Sequence, residues 1–134
     1  MEQVVVGLVE IDGLFVFLQR ENGAWTFPSG KVEDTDFNNR AAVLREIEEE
    51  TCLSSEVIRY LGVRALEDKE LHFYQCLSLD GIDKLRVPEE EQSKFQSIGV
   101  YTPQQIIEMT SGNLSEPVKM FLESRLAAMA PRPS

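Results

Sequence analysis

Residues 45–50 read Arg45-Glu46-Ile47-Glu48-Glu49-Glu50, and the segment Trp25-Thr26-Phe27-Pro28-Ser29-Gly30-Lys31 ends shortly before them. At about 100° per residue, Glu46, Glu49 and Glu50 fall on one side of a helix. Ionised carboxylates at these spacings repel one another by a few tenths of a kcal/mol per pair. A hard divalent cation such as Mg²⁺ or Mn²⁺ takes oxygen ligands and would relieve that repulsion. The cluster therefore reads either as a metal platform or as a solvated acidic helix face. Arg45 stands four residues before Glu49, a spacing that permits an ion pair along the helix.

The elements that must position these groups can be read from hydrophobic pattern and turn chemistry. Val4 to Ile11 and Leu14 to Leu18 are rich in β-branched and aromatic residues, and Asp12-Gly13 between them is a strong hairpin signal. Trp25 to Phe27 forms a short extended piece ended by Pro28. Ser29 to Asp36 reads as a polar loop. A helix is expected from about Phe37 to Thr51, capped by Asp36 or Thr35. Its stripe Phe37, Ala41, Leu44 and Ile47 should face a sheet, with Val43 beside it and the three glutamates roughly opposite, next to Ala42.

Val57 to Leu66 and Leu71 to Leu79 read as two further strands, joined by a hairpin tip at Glu67-Asp68-Lys69-Glu70. Residues 81–94 form a polar loop containing Glu89, Glu90 and Glu91. Phe95 to Tyr101 is another strand. Thr102-Pro103 opens a short helix, with Thr102 as cap and Pro103 in the first turn. Ser111-Gly112-Asn113 breaks the chain. A last helix follows from about Glu116 to Ala128, with Val118, Phe121, Leu122, Leu126 and Met129 on one face. Residues 130–134 read as a frayed tail. With no repeat and no linker, the 134 residues form one domain. Its class is α+β, a mixed sheet sandwiched between helices.

The net charge of −10 argues against a surface built to grip a nucleic-acid backbone, so a nucleic-acid partner is not expected. A small phosphorylated substrate remains compatible, because a bound cation and a few local bases invert the local field. Two cysteines, Cys52 and Cys76, are too few for a secreted disulfide scaffold and point to a cytoplasmic protein. Cys76 reads as a small core residue. No basic leader and no membrane-spanning run is seen. His72 in Leu71-His72-Phe73-Tyr74 reads as a packed histidine with a satisfied partner rather than a catalytic one.

The segment from Gly30-Lys31-Val32-Glu33 through Arg45-Glu46-Ile47-Glu48-Glu49-Glu50-Thr51-Cys52-Leu53 resembles the Nudix hydrolase signature. That signature is a Gly, five residues, a Glu, seven residues, Arg-Glu, an aliphatic residue, any residue, Glu-Glu, any residue, Gly and an aliphatic residue. The preceding Trp-x-Phe-Pro-x-Gly-Lys also matches many members. The likeness in motif covers residues 25–53, and the order of strands suits the family's domain from about residue 3 to 128. Four departures stand out. The stretch between Gly30 and Arg45 is one residue too long. Asp36, or nothing, replaces the Glu expected after the Gly. Ser29 stands where many members have a second Gly, and Cys52 replaces the late Gly. A side chain at a left-handed position is disfavoured by about 1–2 kcal/mol, so Cys52 either bears that strain or the chain turns differently.

The resemblance implies the Nudix fold and hydrolysis of a pyrophosphate bond in a nucleoside diphosphate linked to another group, with Mg²⁺ or Mn²⁺. It implies a metal site of Glu46, Glu49, Glu50 and the Gly30 carbonyl, where Gly30 is otherwise a turn residue. Glu49 and Glu50 become the candidate catalytic carboxylates, and Arg45 the residue that holds them. A further acidic ligand would come from Glu89, Glu90 or Glu91, at least two of which are simply solvated. Arg20 and Lys31 are the candidate phosphate contacts, with simple surface solvation the equal alternative for Arg20. Trp25 and Phe27 could stack on a base or pack in the core. The expected partner is a small nucleotide, with a homodimer possible. The alternative is a non-catalytic Nudix-fold module that binds a nucleotide or a protein.

Overall fold

The computed structural model describes residues 1–129, so the expected frayed tail at 130–134 lies outside the described residues. The strands are β1 (Glu2–Ile11), β2 (Leu14–Arg20), β3 (Trp25–Thr26), β4 (Ser29–Lys31), β5 (Ser55–Ala65), β6 (Lys69–Ser78) and β7 (Phe95–Tyr101). The helices are α1 (Asn39–Thr51), α2 (Pro103–Met109) and α3 (Glu116–Met129). Two short 3₁₀ turns, Ile82–Lys84 and Glu89–Glu91, interrupt the polar loop.

All seven strands join one mixed sheet with the path β3-β2-β1-β6-β5, while β4 pairs β1 and β7 pairs β2. Among the described residues, only β1 and β6 run parallel, from Glu2 opposite Lys69 to Glu10 opposite Leu77. The other edge of β1 is divided. Its end pairs β2 across the Asp12-Gly13 turn, where both residues take positive φ, and its first half pairs β4.

Side chains alternate along β1 and so feed two cores. Val5, Val9 and Ile11 join Ala42, Val43 and Ile47 of α1 on one face. Val6 and Leu8 join Phe15, Phe17, Ile106, Phe121 and Leu122 on the other, under α2 and α3. The result is the expected helix–sheet–helix sandwich. Gly7 lets α1 settle on β1: a Cβ there would lie 2.8 Å from Ile47 Cδ1 and 3.2 Å from Val43 Cγ2.

Several expectations need correction. Ser29–Lys31 is a strand rather than loop, because its backbone completes the ladder on β1 whatever its side chains prefer. The first long helix starts later, with Asn38 as its cap accepting from the Ala41 N–H at 2.8 Å. Phe37 therefore precedes the helix and is 94% exposed, outside the core. The buried face of α1 is Ala42, Val43, Glu46, Ile47, Glu50 and Thr51. Lys69 and Glu70 belong to β6 rather than to a hairpin tip. Met129 is exposed, whereas Val118, Phe121 and Leu122 are buried as expected. The α2 cap is as read: Thr102 accepts from the Gln105 N–H, and Gln105 reaches back to the Thr102 N–H.

Candidate active site

The seam between α1 and β4 holds the acidic cluster. Glu46 and Glu50 are not opposite the core face but on its margin, 9% and 6% exposed, while Glu49 projects into solvent. Two backbone features of β4 allow this burial. The Ser29 N–H donates to Glu50 Oε1 at 2.8 Å. Gly30 lies directly against the Glu46 carboxylate, and a Cβ there would overlap it. Gly30 is thus a close-approach residue within a strand, not a turn residue. The Gly7 N–H donates to Pro28 O and the Val32 N–H to Gln3 O, so Gly30 falls in a hydrogen-bonded pair with Val5. Its N–H and its carbonyl therefore both turn to β1, so the expected Gly30 carbonyl ligand is directed away from the seam, and it is the Ser29 N–H and the Lys31 carbonyl that turn towards α1.

Arg45 organises the cluster. Its Nη1 donates to Glu46 Oε1 at 2.9 Å and to both Glu49 oxygens at 3.2 Å. Its Nη2 donates to Lys31 O at 3.0 Å, which ties α1 to β4. Asp36 grips the guanidinium from the other side, with Nε donating to Oδ1 at 2.8 Å and Nη2 to Oδ2 at 2.9 Å. Asp36 is the sixth residue after Gly30 and pairs with Arg45, so the extra residue lies between the two. Its shorter side chain reaches because the loop folds back, with the Glu33 N–H donating to Asp36 Oδ2 and the Asp36 N–H to Glu33 O. The fork with Arg45 and the bond from Glu33 hold the Asp36 carboxyl down at about 2. Nothing in the sequence alone chose between Asp36 and a missing carboxylate.

The buried carboxylates are pushed the other way. Burial raises Glu50 to about 7, against the Ser29 N–H, and the charges of Glu46 and Glu91 add to the rise. Burial also raises Glu46, opposed by Arg45. Of the three loop glutamates, Glu91 turns inward, half-buried and paired with Lys94 Nζ at 2.6 Å, while Glu89 and Glu90 are exposed. Lys94 was not expected at the site. Its charge is within reach of Glu50 and Glu46 as well as Glu91.

Among the described residues, no three acidic, histidine or cysteine side chains already converge as a ready-made metal cage. The donor set nonetheless suits a hard divalent cation. Every available ligand is an oxygen, and two buried carboxylates are held close to a third against their own repulsion.

The candidate phosphate contacts share a second feature, a cleft of about 560 Å³ beside Gly30 whose wall includes both Arg20 and Lys31. Arg20 lies over the Phe95 ring at 5.5 Å, and exposed Lys31 pairs with Glu2 at 3.1 Å. Phe27 is core, whereas half-buried Trp25 lines the cleft and stacks on Phe17 at 5.6 Å. His72 has the satisfied partners expected, Gln3 Oε1 at 2.6 Å and the Tyr60 hydroxyl at 3.0 Å. Burial pushes the Cys76 thiol up to about 12, which removes it as a nucleophile. Cys52 closes α1 in the left-handed conformation, φ 63° and ψ 6°, with its N–H donating to Glu48 O. It bears the strain that a Gly would avoid.

A NUDIX domain model matches residues 1–119. The chain belongs to the Nudix family. Solved structures agree on the fold. A NUDIX hydrolase from Nitrosomonas europaea is 18% identical with a TM-score of 0.77, over 94% of this chain and 72% of that one. An ADP-ribose pyrophosphatase from Streptococcus suis is 19% identical with a TM-score of 0.69, over 98% and 94%. The E. coli ORF135 protein is 27% identical with a TM-score of 0.65, over 100% and 94%. No curated protein matches in sequence. Among the described residues, no helix is long and apolar enough to cross a membrane.

Proposed function

We propose that this Nudix protein hydrolyses a pyrophosphate bond in a small nucleotide, a nucleoside diphosphate linked to another group. The observation that carries the reading is the seam itself: Glu46 is buried against Gly30 and Glu50 against the Ser29 N–H, and Arg45 is locked by Asp36 so that it can hold Glu46 and Glu49. Buried like charges are unfavourable unless something compensates them. A solvated acidic face would have left these groups in water.

Glu46, Glu49 and Glu50 would hold Mg²⁺ or Mn²⁺, with Glu91 as the further carboxylate. When bound, such an ion neutralises pyrophosphate oxygens and acidifies water. The chain's own groups do the rest. Arg45 fixes Glu46 and Glu49 in one arrangement before substrate arrives. Glu49, exposed and held by Arg45, is the first candidate to take the proton from water, with Glu50 the alternative. Arg20, Lys31 and Lys94 flank the seam and supply positive charge to phosphate oxygens. The −10 net charge leaves a small nucleotide the better fit than a long nucleic acid.

The test is phosphate or pyrophosphate release from a panel of nucleotide pyrophosphates with Mg²⁺ or Mn²⁺, beside Glu49→Gln and Glu50→Gln. Metal-dependent turnover that collapses in at least one variant is expected. Nucleotide binding without turnover anywhere on the panel would replace the hydrolase with a binding module.

A further inference from the structure

Glu46, Glu50 and Glu91 are largely withdrawn from water, and the charges of Glu46 and Glu91 both bear on Glu50. Carboxylates so placed need a counterion while no metal is bound. Arg45 is not free to serve all three. It spends its N–H groups on Asp36, Glu46, Glu49 and the Lys31 carbonyl. Arg20 is seated on the Phe95 ring and acts on Glu50 from a distance. Lys94 remains, with Nζ 2.6 Å from Glu91 Oε2. The contact is charge against charge rather than an aligned hydrogen bond, for Oε2 is buried and accepts no hydrogen bond from the described residues. Its lone pairs stay unspent.

The backbone around the pair is fixed. The Lys94 N–H donates to Glu91 O at 3.0 Å, and the Glu91 N–H donates to Pro88 O at 2.9 Å. The Lys94 carbonyl accepts from the Glu21 N–H at 3.2 Å, and Phe95 then enters β7 opposite Arg20. The Lys94 side chain, more than half exposed on its flexible stem, is the part that can move. A hard divalent ion among these carboxylates takes the same oxygen and brings twice the charge. Two cations cannot share that oxygen at contact distance without strong repulsion.

We infer that Lys94 is a tethered counterion that stands in for the metal on Glu91: it balances the seam while the metal is absent and must leave Glu91 for the metal to bind. Lys94 is thus a positioning residue that lowers metal affinity. The inference rests on the hydrolase reading for its metal seam and goes beyond it in assigning the competitor.

The experiment measures Mn²⁺ binding without nucleotide, from the electron paramagnetic resonance signal of free Mn²⁺, in the wild type, Lys94→Met, Lys94→Arg and Lys31→Met. Lys94→Met keeps the aliphatic stem and removes the charge. A competitor that occupies Glu91 about nine-tenths of the time raises the apparent Kd about tenfold, so Lys94→Met should bind Mn²⁺ about tenfold more tightly. Lys94→Arg should stay near the wild type. Lys31→Met removes a charge of the same sign that pairs with Glu2 instead, and should shift Kd by about twofold or less. Thermal unfolding reads the opposite sign. In EDTA, Lys94→Met should melt below the wild type, and saturating Mn²⁺ should narrow the gap. A Kd unchanged or raised in Lys94→Met, one lowered as much in Lys31→Met, or an EDTA melting point at or above the wild type would overturn the inference and leave the hydrolase standing. No Mn²⁺ binding in any of the proteins would overturn both. Tighter binding in Lys94→Met, with no turnover by the wild type on the nucleotide panel, defeats the hydrolase and spares the role of Lys94.

Discussion

Gly30→Ala should separate stability from activity. The new Cβ overlaps the carboxyl carbon and both oxygens of Glu46. Those atoms end a flexible side chain, so the strand stays and the carboxylate moves, by about 1 Å to regain ordinary contact. The displaced rotamer costs about 0.5–1.5 kcal/mol. Ala in place of Gly within a strand returns about 0.5–1 kcal/mol through the unfolded chain. The net change in stability is therefore about 1 kcal/mol or less, a Tm shift of ~3–5 °C at most. Catalysis should suffer far more, since a misplacement of about 1 Å at a reacting site can cost about 10² in rate. Thermal unfolding and kcat/KM on the best substrate of the panel check both halves. A variant with full activity would refute the argument that the Glu46 carboxylate works from its place against Gly30. A variant that does not fold would show that the backbone, not the side chain, yields.

Three further outcomes follow from the same geometry. Glu50 has its folded value raised to about 7, so without metal the folded state loses stability as pH rises from about 4.5 through 7, on the order of 3 kcal/mol in all; Glu50→Gln should flatten that slope in urea titrations, and an unchanged slope would place the burial cost elsewhere. Asp36 has the opposite sign: its depressed value contributes stability above about pH 4 that is lost as pH falls towards 2, so Asp36→Asn should weaken the acid limb of the stability profile while lowering kcat through a loosened Arg45. If kcat is untouched, Arg45 does not need its fork. Cys52→Gly should relieve the left-handed strain at the end of α1 and stabilise the protein by about 0.5–1 kcal/mol, read as a rise in Tm.

The parts of this protein that were legible in its sequence rest on local chemistry. Asp12-Gly13 has the residues its positive-φ turn needs, and Thr102-Pro103 with Gln105 spells out a capping box. The spacing of the glutamates and Arg45 survives folding, so the cluster could be named. What failed depends on tertiary context. The buried stripe of α1 contains Glu46 and Glu50, and carboxylates on a core face disguise its amphipathic pattern, which made Phe37, Ala41 and Leu44 look like the better stripe. Ser29-Gly30-Lys31 has little strand character, and only the open edge of β1 makes it one. Asp36 finds Arg45 through a loop turn that no propensity encodes.

The central claim is best tested by ³¹P NMR of a nucleotide pyrophosphate incubated with the protein and Mg²⁺, beside the metal-free reaction and Glu50→Gln. The account predicts loss of the diphosphate resonances and growth of the monophosphate products in the wild-type reaction with metal alone. Resonances that stay unchanged with metal present, or that disappear equally in Glu50→Gln and in EDTA, would contradict it.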